Sequence, residues 1–125
     1  MPTSHAPHKP WRVLLVEDDP IIAIMLGDML HELGCSVIGP AGSAAAALTL
    51  IASERIDGAV LDWNLGREDS SLVAEELLRR ATPFVFSTGY GREGVAGRFG
   101  GIPVLAKPYA LDSLNAALMP LLRRA

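Results

Sequence analysis

Short apolar runs alternate with longer stretches of helical periodicity along the chain, and each junction carries turn chemistry. Val13-Leu14-Leu15-Val16 is continuously apolar, the pattern of a strand covered on both faces. It stops at Glu17-Asp18-Asp19-Pro20, where Asp19 suits an N-cap and Pro20 the first helical position. The following helix is predicted to place Ile22, Leu26, Met29 and Leu33 on one face and to end at Gly34. Further strands are expected at Ser36 to Gly39, Ala59 to Leu61, Pro83 to Ser87, and Val104-Leu105. Helices are expected at Ser43 to Ser53, Ser71 to Arg80, and Leu111 to about Leu122, with Pro120 kinking or ending the last. Six of the twelve glycines fall between Gly89 and Gly101, so any helix there should be short, frayed or mobile.

Five strands separated by helices predict an α/β fold, with parallel pairing and right-handed crossovers in a doubly wound five-stranded sheet. The expected order is the flavodoxin-like 2-1-3-4-5 of a (βα)5 chain, whose ligand crevice lies at the carboxyl ends of the strands.

Composition narrows the class. A chain of 125 residues, half hydrophobic and a fifth charged, is one packed domain and not a disordered one. The charge of −3 leaves no excess of cation for a nucleic-acid backbone. The longest apolar run, Ile21 to Leu26, is far too short for a membrane span. A single cysteine, Cys35, fits a reducing, cytoplasmic setting and a packed apolar role. Residues 1–10 hold three prolines and no apolar block, and are expected to be a flexible lead-in to a domain over 11–125. His5, His8 and His31 lack the clustered spacing of metal ligands.

The candidate chemistry sits at the strand ends: Glu17, Asp18 and Asp19 after the first, Asp62 and Asn64 after the third, Thr88 after the fourth, and Lys107 after the fifth. Singly, each has a bland explanation as a cap or turn residue. Together they do not. Strands 1 and 3 are neighbours in the expected order, so Glu17, Asp18 and Asp62 converge, and two carboxylates ~5 Å apart repel by roughly 3 kcal/mol. A hard divalent cation such as Mg²⁺ is the natural partner. Metal and ammonium together would let the weak carboxylate nucleophile Asp62 attack phosphorus, with Lys107 as a point charge and Thr88 as a hydroxyl donor.

Val-Glu-Asp-Asp-Pro at 16–20, Leu-Asp-Trp-Asn at 61–64, Ser-Thr-Gly-Tyr at 87–90 and Lys-Pro-Tyr at 107–109 resemble the receiver domain of two-component response regulators. The resemblance runs from Trp11 to the C-terminus. It implies that Asp62 accepts a phosphoryl group from a histidine kinase or a histidine phosphotransfer protein. It further implies that Asp18 binds Mg²⁺ directly, Glu17 mainly through water and Asn64 through its main-chain carbonyl. Thr88 and Lys107 would contact the phosphoryl group, and the Lys107–Pro108 bond would be cis. Asp-Trp-Asn-Leu-Gly and Pro-Phe-Val-Phe-Ser-Thr-Gly-Tyr look like single-domain receivers paired with HWE-type histidine kinases. Such a protein is a phosphoacceptor rather than an enzyme, acts through protein contacts without an output domain, and leaves a homodimer open.

Departures from that pattern are informative. The usual Met-Pro after the acceptor is replaced by Leu65-Gly66-Arg67, and the aromatic expected three positions before the lysine is Val104. Tyr90 is then the available switch aromatic, or a cover that slows hydrolysis. Ile24, opposite the core stripe and flanked by Ile21, is the expected kinase-docking contact. Trp63, beside Asp62, is a candidate reporter of metal binding, complicated by Trp11. Three other readings compete: a phosphohydrolase of the haloacid dehalogenase type, a flavodoxin-like module and a scaffolding pseudo-receiver. The first needs a second Asp where Asn64 stands. In the second, Glu17-Asp18-Asp19 would repel the phosphate its loop must cradle. The third is opposed by the intact Asp62, Thr88 and Lys107.

Overall fold

The structure, a computed structural model, describes residues 10–89, 95 and 97–124. Residues 1–9 of the expected lead-in, with His5 and His8, lie outside the described residues, as do Tyr90 and residues 91–94 of the glycine-rich segment. Between Thr88 and Val104 the described residues hold one 3₁₀ turn, Gly97–Phe99, and no α-helix.

Strands β1 (Trp11–Val16), β2 (Cys35–Ala41), β3 (Gly58–Asp62), β6 (Phe84–Thr88) and β7 (Val104–Ala106) form the main sheet. The order is β2-β1-β3-β6-β7 and every pair is parallel, the expected doubly wound arrangement. Helices α1 (Pro20–Glu32), α2 (Ala44–Ser53), α3 (Ser71–Arg79) and α4 (Leu111–Arg124) cover it. A further antiparallel pair, β4 (Asn64–Leu65) and β5 (Glu68–Asp69), forms a small hairpin just after β3.

Alternation along the strands sorts side chains to two faces. Leu14, Val16, Ala59, Leu61, Phe84 and Phe86 face α2 and α3, packing with Ala47, Ile51, Val73 and Leu77. Val13, Leu15, Val60 and Val85 face α1 and α4, packing with Leu26, Leu30, Leu114 and Leu118. Both faces are buried, which is why the central strands read as unbroken apolar runs. Continuing the same parity past the strand ends sends Glu17, Asp62, Ser87 and Lys107 to the α1 side.

Two helices differ from expectation. On α1 the buried positions are Ala23, Leu26 and Leu30, while Ile22, Met29 and Leu33 are only half-buried. The core-facing stripe is thus turned toward smaller Ala23, where α1 lies close to the sheet. Pro120 lies within α4, which continues to Arg124 because Met119 and Leu122 are held in the core.

Edge strand β2 carries an irregularity. Its register runs from Leu14↔Ile38 to Val16↔Ala41, so one extra residue is accommodated around Gly39 and Pro40, whose peptide bond is cis. Gly39 has φ +107°, and a Cβ there would lie 2.8 Å from both Ala41 N and Leu15 O, so only glycine fits. The bulge brings the Ala41 carbonyl to accept the Glu17 N–H at 2.9 Å. An edge feature therefore fixes the first residue of the acidic cluster.

Candidate functional site

Each site residue is presented by the carboxyl end of a strand. Asp19 is taken up by capping, its Oδ1 accepting from Ile21 N at 2.9 Å and Ile22 N at 3.3 Å. Glu17 and Asp18 are thereby left at the crevice. Asp62 closes β3, and carboxylate oxygens of Glu17, Asp18 and Asp62 all lie within 4.8 Å of one another. Glu17 and Asp62 are buried, whereas Asp18 is exposed at the mouth.

The cation comes from the residue just after β7. Lys107 Nζ donates to Glu17 Oε1 at 2.7 Å and stands 3.3 Å from Asp62 Oδ2. Its backbone N–H donates to the Thr88 carbonyl at 2.7 Å, so β6 and the lysine loop are locked at the crevice. Thr88 itself is fully buried. The Lys107–Pro108 bond is cis, as the family resemblance implied. Asn64 lies on the other rim, and its N–H donates to Asp62 Oδ1 at 3.3 Å. Glu17, Asp18, Asp62, Asn64 and Lys107 thus lie together at the carboxyl end of the sheet, and Thr88 meets them through its main-chain carbonyl.

Electrostatics single out Asp62. Burial, and then the hydrogen bond and negative charge of neighbouring Glu17, push its carboxyl up to about 7, with Lys107 opposing only in part. Lys107 moves upward too: burial pulls it down, but the hydrogen bond to Glu17 and the charges of Asp62 and Glu17 outweigh that loss. An ammonium that stays charged thus faces carboxylates that repel one another, and the set is short of positive charge. Hard oxygen donors at this spacing suit a divalent cation.

Three features of the site were not expected from sequence. The β4–β5 hairpin turns at Gly66-Arg67, with Gly66 at φ +75° as the first central residue of a two-residue turn requires. Its Glu68 Oε2 accepts the Ala44 N–H at 3.2 Å, tying the hairpin to the start of α2. The hairpin has a signal in the apolar Leu65 followed by glycine and charged residues; the Glu68 contact has none. Tyr109 donates its phenol to Ser87 Oγ at 3.1 Å, again without a sequence signal. Burial pushes the Tyr109 phenol up to about 12, although the Ser87 bond favours the opposite direction.

Trp63 follows Asp62 and is buried, its ring edge-on to Phe86 at 5.4 Å and Phe99 at 5.9 Å. Val104 is half-buried in β7 and, as an aliphatic residue, supplies no switch ring. Ile21 and Ile24 are exposed on α1, as expected, and Met25 joins them. His31 is exposed and stands apart from the acidic cluster, whereas Cys35 is buried, which raises its thiol. No helix among the described residues is long and apolar enough to cross a membrane.

A parallel five-stranded sheet in this order, with acidic residues just after β1 and at the end of β3 and a lysine after β7, defines a signalling receiver. The chain belongs to the response regulator receiver domain family, whose model matches residues 13–119. Among solved structures it is similar to SdrG from Sphingomonas melonis Fr1, with 44% identity, a TM-score of 0.81, and coverage of 90% of this chain and 97% of that one. The BeF3-activated conformation of SdrG from Pseudomonas melonis Fr1 matches at 45% identity and a TM-score of 0.76, over 89% and 95% of the two chains. The transcriptional regulatory protein PdtaR of Mycobacterium tuberculosis is 30% identical over 113 residues, 87% of this chain and 55% of that protein. The chain spans about half the length of the curated relatives it matches.

Proposed function

We propose that this receiver is a phosphoacceptor in which Asp62 takes a phosphoryl group from a histidine kinase or a histidine phosphotransfer protein. One observation carries the reading: three carboxylates gathered within 4.8 Å beside a lysine 3.3 Å from the middle-strand aspartate. In the transfer, an Asp62 oxygen forms the new bond to phosphorus as the phosphorus–nitrogen bond of the donor imidazole breaks. Lys107 balances charge on the transferring oxygens, and the Thr88 hydroxyl offers them a donor.

Asp18, Glu17, Asp62 and the Asn64 carbonyl are the groups that would hold Mg²⁺. Their hard oxygen donors and unbalanced negative charge fit such an ion, with Glu17, already engaged by Lys107, acting mainly through water. When bound, Mg²⁺ would neutralise charge shared by the acceptor and the incoming phosphoryl oxygens. Without it, the raised Asp62 carboxyl is a poor nucleophile near neutral pH.

The donor's surface is the α1 face. Ile21, Ile24 and Met25 are 71%, 65% and 55% exposed, an apolar group on one helix that suits a histidine-bearing helical hairpin. Activation of SdrG by BeF3, named for that relative, supports the same chemistry in this chain.

Beryllofluoride titration followed by amide NMR tests the proposal. Resonances of Thr88, Lys107 and their neighbours should shift only when Mg²⁺ is also present, and not in Asp62→Asn. The absence of any Mg²⁺-dependent shift in the wild-type chain would make it a pseudo-receiver.

A further inference from the structure

Lys107 must present its ammonium to a small target, yet the chain that follows it lies near the surface. Of residues 106–110, none is fully buried, and Pro108 and Ala110 are exposed. Beside them lies a largely apolar cavity of about 100 Å³, lined by Ile22, Met25, Leu26 and Met29 of α1 together with Lys107, Pro108 and Tyr109. Close packing on all sides would over-determine a ring's position; a ring facing a void is not so fixed. The Tyr109 ring packs against the core on one side and faces this cavity on the other, so apolar contact alone does not fix it.

Its phenol supplies that constraint. Tyr109 Oη donates to Ser87 Oγ at 3.1 Å, and Ser87 is fully buried in β6. Ser87 is rigidly held, paired with Asp62 on one side and Leu105 on the other, while its carbonyl accepts the Trp63 N–H at 3.0 Å. The next residue, Thr88, accepts the Lys107 N–H at 2.7 Å. The lysine loop is thus pinned to two consecutive residues of the strand beside the acceptor, by backbone at Thr88 and by side chain at Ser87.

We infer that Tyr109 is a positioning residue, whose hydroxyl, through Ser87, holds the Lys107 ammonium where a phosphoryl group on Asp62 would meet it. The inference deepens the phosphoacceptor reading and rests on it for the target of the ammonium. It assigns no part to Tyr109 in holding the metal, since its bond runs to Ser87 and not to a carboxylate.

The test compares wild type with Tyr109→Phe, Ser87→Ala and the double variant; Tyr109→Phe keeps the ring and removes one hydroxyl. Proton exchange at the Lys107 ammonium, followed by NMR without any phosphodonor, should quicken in both single variants and no further in the double. Beryllofluoride affinity in Mg²⁺ should fall about three- to tenfold, the scale of one neutral hydrogen bond. Mg²⁺ affinity alone should stay within about twofold of wild type. Unchanged ammonium exchange, an additive double variant, or an equal loss of Mg²⁺ and beryllofluoride affinity overturns the inference. Failure of wild type to bind beryllofluoride, with quickened exchange in Tyr109→Phe, instead overturns the phosphoacceptor reading and upholds the hydrogen-bond role.

Discussion

Replacing Asp62 by asparagine should stabilise the metal-free protein, although it removes half of an ion pair. At up to 4.8 Å, Asp62 is repelled by each of Glu17 and Asp18 by about 3.5 kcal/mol or more at an effective dielectric of 20. Its attraction to Lys107 at 3.3 Å is about 5 kcal/mol on the same scale. Two repulsions exceed one attraction by about 2 kcal/mol. Exposure of Asp18 trims that excess, while burial of the Asp62 carboxylate adds to it. Lys107 is not orphaned by the change, since Glu17 holds it at 2.7 Å. The net expectation is a gain of about 1–2 kcal/mol at pH 8, or roughly 3–8 °C in Tm.

The pH dependence follows from the same imbalance. The Asp62 carboxyl is raised to about 7 in the folded state, so the folded chain binds the extra proton between roughly pH 4 and pH 7. Its stabilising share is complete below the unfolded value and lost as pH climbs through about 7. Urea unfolding in EDTA at pH 5, 6, 7 and 8 should show wild-type stability declining relative to Asp62→Asn across this window. Mg²⁺ at a hundred times its Kd should restore about 2.7 kcal/mol to wild type and much less to the variant. If Asp62→Asn is less stable in EDTA at pH 8, or the two pH profiles run parallel, the electrostatic account of the site is wrong.

Gly39→Ala should cost about 2–4 kcal/mol in urea unfolding, because its Cβ meets two backbone atoms at 2.8 Å where φ is +107°. It should also weaken Mg²⁺ binding, since the bulge aims the Ala41 carbonyl at Glu17; unchanged stability would remove the bulge from the site's support. Ile24→Glu should slow phosphoryl transfer from a partner histidine protein about tenfold, leaving labelling by acetyl phosphate unaltered. Transfer at the wild-type rate would rule out α1 as the docking face. Mg²⁺ should change the emission of Trp63, and the change should survive Trp11→Phe; its disappearance in that variant would assign the signal to the wrong tryptophan.

Much of the scaffold is legible because a doubly covered parallel sheet writes itself in apolar blocks such as Val13 to Val16. Helix starts are equally plain where local capping residues decide them, as Asp19 and Pro20 do for α1. Site residues could be placed because strand ends deliver them to one crevice, so topology alone brings Glu17, Asp18, Asp62, Asn64, Thr88 and Lys107 together. What stays hidden depends on long-range contacts. The face that α1 buries is decided by its approach to the sheet, which favours small Ala23 over Ile22. Pro120 sits inside a helix because Leu118, Met119 and Leu122 anchor the turns around it. The Gly39–Pro40 bulge, the Glu68 contact with Ala44 and the Tyr109–Ser87 bond join residues whose pairing no local pattern announces.

Mass spectrometry of the chain after incubation with acetyl phosphate and Mg²⁺ tests the central claim most directly. One phosphoryl group should appear, confined to the peptide that carries Asp62, absent from Asp62→Asn and lost when EDTA replaces the metal. Unmodified protein under saturating donor, or a phosphoryl group on any other residue, would contradict it.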